Sequence, residues 1–220
     1  MPAIFDILPT FSESPYSYII VPIILVVSIV GFYYKPVFHA LLLHPYEICR
    51  GKRLHTLLTS ALIHRNWLHL LINAVLIYFL LFDLYGLIEQ EQSANAAFLL
   101  SLLLITSFIG IPNLIQSYVK KNDFGYTAVG SSGLTFALYG FSFTYFPLEK
   151  TQSFWIEGIK TNSHLWLATL IVILLLAFIP KSKINRGLHL VAFLLGSVSA
   201  ILVRPQSLSE FIESYNFLLN

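Results

Sequence analysis

The chain has 220 residues, 56% of them hydrophobic and 11% charged, with 13 Lys and Arg, 11 Asp and Glu, and a mean hydropathy of +0.74. Soluble domains carry about 25% charged residues. This chain therefore lacks the polar surface to cover a water-soluble globule or a disordered tail, and its scattered cations form no patch for nucleic acid. One cysteine, Cys49, excludes an intrachain disulfide framework and a cysteine-based zinc site. A net charge of +2 selects no partner. Composition points to a membrane protein, and length to a single domain over residues 1–220.

A helix needs roughly 20 apolar residues, rising 1.5 Å each, to cross a bilayer. Six runs approach that length, near 16–34, 66–85, 96–116, 126–146, 164–179 and 187–203. The predicted fold class is thus an all-α membrane protein with six transmembrane helices. Residues 1–15 hold no Lys or Arg and no small-residue cleavage site follows the first run, so it reads as a permanent helix rather than a signal peptide. Residues 204–220 suit a short interfacial helix.

The longest connection, 35–65, mixes Leu41, Leu42, Leu57 and Leu58 with Lys52 and Arg53, and it carries His39, His44, His55 and His64. So apolar a segment is predicted to lie partly in the membrane interface; the plainer alternative is a hydrophobic loop packed on its own bundle.

Polar side chains inside spans cost several kcal/mol unless satisfied, which makes each a functional candidate. His69 and Asn73 stand at i and i+4 on the second run, one turn apart on one face. The fourth run contains Gly130-Ser131-Ser132-Gly133, and the sixth opens with Gly187-Leu188-His189. With six spans, the second, fourth and sixth enter from the same membrane side. His69, Ser132 and His189 then sit about 3 to 9 Å inside that face by helical rise. Taken singly, Ser132 reads more readily as a helix-packing serine, His189 as a satisfied interior histidine, and His69 with Asn73 as an interhelical bridge. Their shared depth favours a serine, a base and extra donors assembled for acyl transfer. The chain has no His-Glu-x-x-His for a zinc protease. Asp83 is the only aspartate within a span, so a two-aspartate protease lacks its pair.

These motifs resemble the rhomboid family of intramembrane serine proteases. The signature His-x-x-x-x-His-x-x-x-Asn appears as His64, His69 and Asn73, preceded by Leu57-Leu-Thr-Ser-Ala-Leu-Ile-His64. Gly-x-Ser-Gly appears as Gly130, Ser132 and Gly133, with Gly140 following, and the base histidine corresponds to His189 with Gly196 beyond it. The likeness covers residues 16–203. It departs in three places: Ala192 replaces a glycine, His55-Thr56 stands where Trp-Arg is usual, and Phe136 where tyrosine is common. The stripe Ala192, Gly196 and Ala200 is expected to meet Gly133 and Ala137, Phe136 to stack on His189, and the first loop to be held differently.

The resemblance implies a six-helix rhomboid-like bundle with a partly embedded first loop, hydrolysing peptide bonds in or near transmembrane segments. Ser132 would be the nucleophile and His189 the base, while the Ser132 N–H, His69 and Asn73 would stabilise the oxyanion. His64, Gly130, Gly133, Phe136 and Gly196 would support them. No metal or cofactor is expected. The partners are the lipid bilayer and transmembrane protein substrates entering laterally, past the fifth helix. Two rivals stay open: an inactive rhomboid-like protein that binds membrane clients, and a small transporter.

The implied location is the cell membrane, multi-pass, with a cytoplasmic N-terminus and a site opening outward. The cation count points the other way. Lys150, Lys160 and Arg204 lie at the termini and even-numbered loops, and the other ten Lys and Arg lie in the odd-numbered ones, which the positive-inside rule would place in the cytoplasm.

Overall fold

The computed structural model describes residues 8–151, 159–176 and 185–216, and every regular element within them is helical. Two compact units emerge, Met1–Thr135 and Phe136–Asn220, with the division falling inside one helix.

The first unit contains α1 (Pro15–Tyr33), α2 (Lys35–Leu41), α3 (Pro45–Ile48), α4 (Thr56–Thr59), α5 (Trp67–Glu89) and α6 (Ala94–Val119). Local chemistry sets the starts of the long helices. Pro15 opens α1, where its missing N–H costs nothing. The Asn66 side chain accepts from the His69 N–H at 2.9 Å to cap α5, and Ser93 accepts from the Ala96 N–H at 3.3 Å to cap α6. α5 packs against both α1 and α6. Its inner face reads Leu70, Asn73, Ala74, Ile77, Leu81, Leu84 and Ile88, at helical spacing. Leu68, Leu71, Ile72, Val75 and Phe79 are exposed elsewhere around it, as suits a helix solvated by lipid. Two hydroxyls tie α1 to its neighbours: Tyr16 donates to the Phe98 carbonyl and Ser17 to the Tyr78 carbonyl, both at 2.6 Å.

Segment 35–65 is folded, not a loose loop. It holds α2, α3, α4 and a 3₁₀ turn at Ser60–Leu62, with α3 and α4 packed on α6. Arg53 is its clasp. With φ +53, it turns the chain so that its guanidinium donates to the carbonyls of Ala40 (3.2 Å) and Leu42 (3.1 Å), to the His39 carbonyl, and to the Glu47 carboxylate (3.4 Å). Those carbonyls close α2, where a cation is favoured. Thr56, in the place where arginine is usual, donates back to the Arg53 carbonyl at 2.7 Å.

The second unit holds the rest of α7 (Ser132–Tyr145), α8 (Asn162–Leu175), α9 (Arg186–Val203) and α10 (Gln206–Asn216). α7 and α9 touch backbone to backbone. A Cβ on Gly196 would lie 1.8 Å from the Ala137 carbonyl oxygen, and one on Gly140 would lie 2.0 Å from that of Phe193. Only glycine permits such contact. The indole N–H of Trp166 on α8 donates to Ser197 on α9 at 2.8 Å. α10 is fastened by Arg204, which forms a two-pronged pair with Glu210 (2.6 and 2.7 Å) and donates to the Tyr145 carbonyl at 3.1 Å.

Among the described residues, four helices, α1, α5, α6 and α9, are long and apolar enough to cross a membrane. α7 and α8 have 14 residues each. The fourth helix, expected from residue 126, starts at Ser132 because residues 126–131 spend their backbone groups on α2–α5 connections instead. The fifth, expected over 164–179, is α8 at Asn162–Leu175, and positions 177–179 of that expectation lie outside the described residues.

Candidate active site

In the first unit, the chain approaching α7 is extended and strapped to segment 35–65. Leu43 and Ala128 exchange backbone hydrogen bonds at 2.9 and 3.1 Å, and the Gly130 N–H donates to the Ser60 carbonyl at 2.9 Å. Asn113 on α6 holds that stretch in turn, donating to the Leu57 carbonyl at 2.8 Å and to the Ser60 hydroxyl at 3.2 Å. The Ser131 carbonyl accepts from the Thr135 N–H at 3.0 Å, which begins α7. Ser132 thus occupies the first helical position, half-buried. Its backbone N–H lies in the first turn of α7, at the positive end of the helix dipole.

Gly130 has φ +111, a region that side chains disfavour. A Cβ there would also lie 2.5 Å from Cε1 and 3.1 Å from Nε2 of His69. The His69 imidazole, half-buried on the first turn of α5, therefore lies directly against the backbone two residues before Ser132.

His64 braces the same strand. It is fully buried, and its ring lies edge-on to His69 at 4.9 Å. The Ser131 N–H, which can only donate, points to Nε2 at 3.3 Å. Nε2 must then carry the lone pair, so in the neutral ring the proton sits on Nδ1, 2.9 Å from the Ser28 hydroxyl. Ser28 passes its own proton to the Leu62 carbonyl at 2.8 Å, while the Ser131 hydroxyl lies 3.0 Å from Nε2. Burial, with the neighbouring His69 adding to it, pushes the His64 pKa down to about 3. His64 is thus neutral at physiological pH, a fixed brace rather than a titrating base.

Asn73, one turn along α5 from His69, is buried with both ends of its amide engaged. Nδ2 donates to the His69 carbonyl at 2.7 Å, and Oδ1 lies 3.0 Å from the Thr135 hydroxyl.

In the second unit, Phe136 stacks on the buried His189 ring, with centroids 4.4 Å apart and planes inclined by 25°. The phenyl face fixes the plane of the imidazole without a hydroxyl. Gly196, two turns beyond His189 on α9, lies against Ala137.

Of the residues singled out in the sequence, His64, His69, Asn73, Gly130, Ser132 and Gly133 belong to the first unit, and Phe136, His189 and Gly196 to the second. The structure draws His64, His69 and Gly130 into one cluster, with Asn73 tied to the first turn of α7, and pairs Phe136 with His189. Sequence reading missed Ser28, Ser60, Ser131, Thr135 and Arg53. Ser28 left a signal, being a polar side chain in the middle of an apolar span. Arg53 acts through its guanidinium on backbone carbonyls and Glu47, and Ser60, Ser131 and Thr135 through backbone contacts or a single hydroxyl.

Against known families, the model described as Rhomboid domain matches residues 51–206. Among curated proteins, none matches the chain.

Proposed function

For this chain, a member of the rhomboid family, we propose the activity of an intramembrane serine endopeptidase that hydrolyses peptide bonds in or near the transmembrane segments of other proteins. The Ser132 hydroxyl attacks the scissile carbonyl as His189 takes its proton. The tetrahedral intermediate collapses when His189 returns that proton to the leaving amine. Water, deprotonated by His189, then attacks the acyl carbonyl, and His189 gives the proton to the Ser132 oxygen as the acid departs. The Ser132 N–H and the side chains of His69 and Asn73 hold the oxyanion.

The observation that carries this reading is the contact between His69 and Gly130. It sets a hydrogen-bond donor from α5 against the backbone leading to the serine, and the sequence keeps glycine where that approach demands it. The dyad itself rests on the family's motif order, with Phe136 setting the plane of His189. No carboxylate completes a triad on α5: Asp83 lies 14 residues beyond His69, about 21 Å along the helix.

Helix length accounts for water access. At 1.5 Å per residue, the 14 residues of α7 span about 21 Å of a hydrocarbon core of about 30 Å. With the lead-in 126–131 covering the difference, Ser132 would lie below the membrane surface but near one face, as a hydrolytic site that needs water requires. The family orientation has the N-terminus in the cytoplasm and this face outward. A reporter fused at Asn220 reads cytoplasmic if that holds and external if the cation count prevails.

Cleavage of a helical membrane substrate by the liposome-reconstituted protein tests the activity. Ser132→Ala and His189→Ala abolish it if the dyad is right. Equal cutting by parent and both variants refutes it, and a parent that binds such substrates without cutting them identifies an inactive client-binding relative.

A further inference from the structure

The orientation of the Asn73 amide can be deduced from its neighbours. The His69 carbonyl only accepts, and it lies 2.7 Å from one end of the amide; that end must be Nδ2. The other end, Oδ1, then faces the Thr135 hydroxyl at 3.0 Å, and because a carbonyl oxygen cannot donate, Thr135 must. The same hydroxyl lies 3.3 Å from the Ser131 carbonyl, a longer contact and the weaker claim on its single proton. Both residues are buried, Thr135 to 3% and Asn73 to 4% exposure, so water does not substitute freely for either bond.

We propose that Thr135 is a positioning residue that fixes the Asn73 amide with Nδ2 as its donor end and links that donor to the helical turn carrying Ser132. The proposal rests on the reading of Asn73 as an oxyanion donor. Nδ2 bears two hydrogens, and the His69 carbonyl takes one. The second is directed by the plane of the amide, and that plane is set by the two ends together. Removing the Thr135 hydroxyl leaves Oδ1 buried without its donor, and the amide rotates to find another. Thr135 thereby makes the oxyanion donor and the nucleophile's turn a single hydrogen-bonded body, so that the two keep their spacing when substrate arrives.

Thr135→Val is close to isosteric and tests the hydroxyl alone, and Thr135→Ser restores it. In liposome cleavage, Thr135→Val is expected to lower kcat by about tenfold to a hundredfold, the penalty of a donor misplaced by about 1 Å, with KM within about twofold. Thr135→Ser should stay within about threefold of the parent. The decisive readout is the cycle with Asn73→Ala: if Thr135 acts through Asn73, adding Thr135→Val to Asn73→Ala causes no further loss. A parent that cleaves, with Ser132→Ala inactive and Thr135→Val at the parent's rate, overturns this proposal alone. So does a Thr135→Val loss that multiplies in full onto Asn73→Ala. If Ser132→Ala cleaves like the parent, or neither cleaves, the serine-protease reading fails and takes the proposal with it.

Discussion

Replacing Gly130 by alanine strikes the site at two points whose sizes follow from the geometry. The added Cβ would stand 2.5 Å from Cε1 of His69, whereas carbon atoms rest at about 3.5–4.0 Å. The imidazole must therefore retreat by about 1 Å or more, or the strand must shift. A displacement of about 1 Å in a catalytic group costs on the order of a hundredfold in rate. Separately, φ +111 is a conformation that a side chain occupies only at about 1–3 kcal/mol. Gly130→Ala should accordingly lower the thermal midpoint in detergent and reduce kcat about a hundredfold. Gly86→Ala is the matched control: it lies within α5, a Cβ there meets nothing within 4 Å, and alanine favours helix by about 1 kcal/mol. Its melting point should hold or rise, with cleavage unchanged. A Gly130→Ala protein with the parent's melting point and rate would refute the close approach of His69 to the strand.

Other consequences follow from the braces around the site. The His64 pKa near 3, against an ordinary 6.5, means that the unfolded chain binds a proton that the folded one refuses between those values. Through His64 the parent should lose stability as pH falls below 6.5 toward 3, by up to about tenfold in the folding equilibrium per pH unit, with no effect above pH 7. His64→Gln should melt lower at neutral pH yet show a shallower acid slope in pH-dependent denaturation, and identical slopes would contradict the neutral buried ring. Arg53→Met strips the α2 carbonyls and Glu47 of their shared donor, and should lower the melting point by an amount equivalent to about 2 kcal/mol. Because the same segment holds Ala128 through Leu43, cleavage should fall as well. Gly196→Ala forces a methyl into the Ala137 carbonyl, a contact no rotamer relieves. Its folded yield on size exclusion should collapse, and a normal yield would show that α7 and α9 pack otherwise.

The sequence made the spans around α1, α5, α6 and α9 legible because length and hydropathy alone decide them. The start of α7 was not legible. Tyr126-Thr-Ala-Val-Gly-Ser has the apolar character of a helix, and it is extended only because Leu43, Ser60 and His64 offer it partners from far away in the chain. Hydropathy averages cannot register such long-range pairings. His69, Asn73, Gly130 and Ser132 stood out because polar or conformationally special residues are costly within apolar runs. Thr135 did not, since a lone threonine near a helix start commonly bonds its own backbone. Thr56 in place of the usual arginine suggests a loop held otherwise, but that Arg53 clasps it depends on a left-handed turn that no spacing rule reveals.

The central claim is that His189 activates Ser132. A fluorophosphonate, which reports an activated serine rather than a particular substrate, tests it most directly on the intact protein in detergent. The expected result is a single adduct, mapped by mass spectrometry to Ser132, formed at a measurable rate by the parent and lost in His189→Ala. Labelling of Ser132 at the parent's rate in His189→Ala, or an adduct on another serine with Ser132 untouched, would contradict the account.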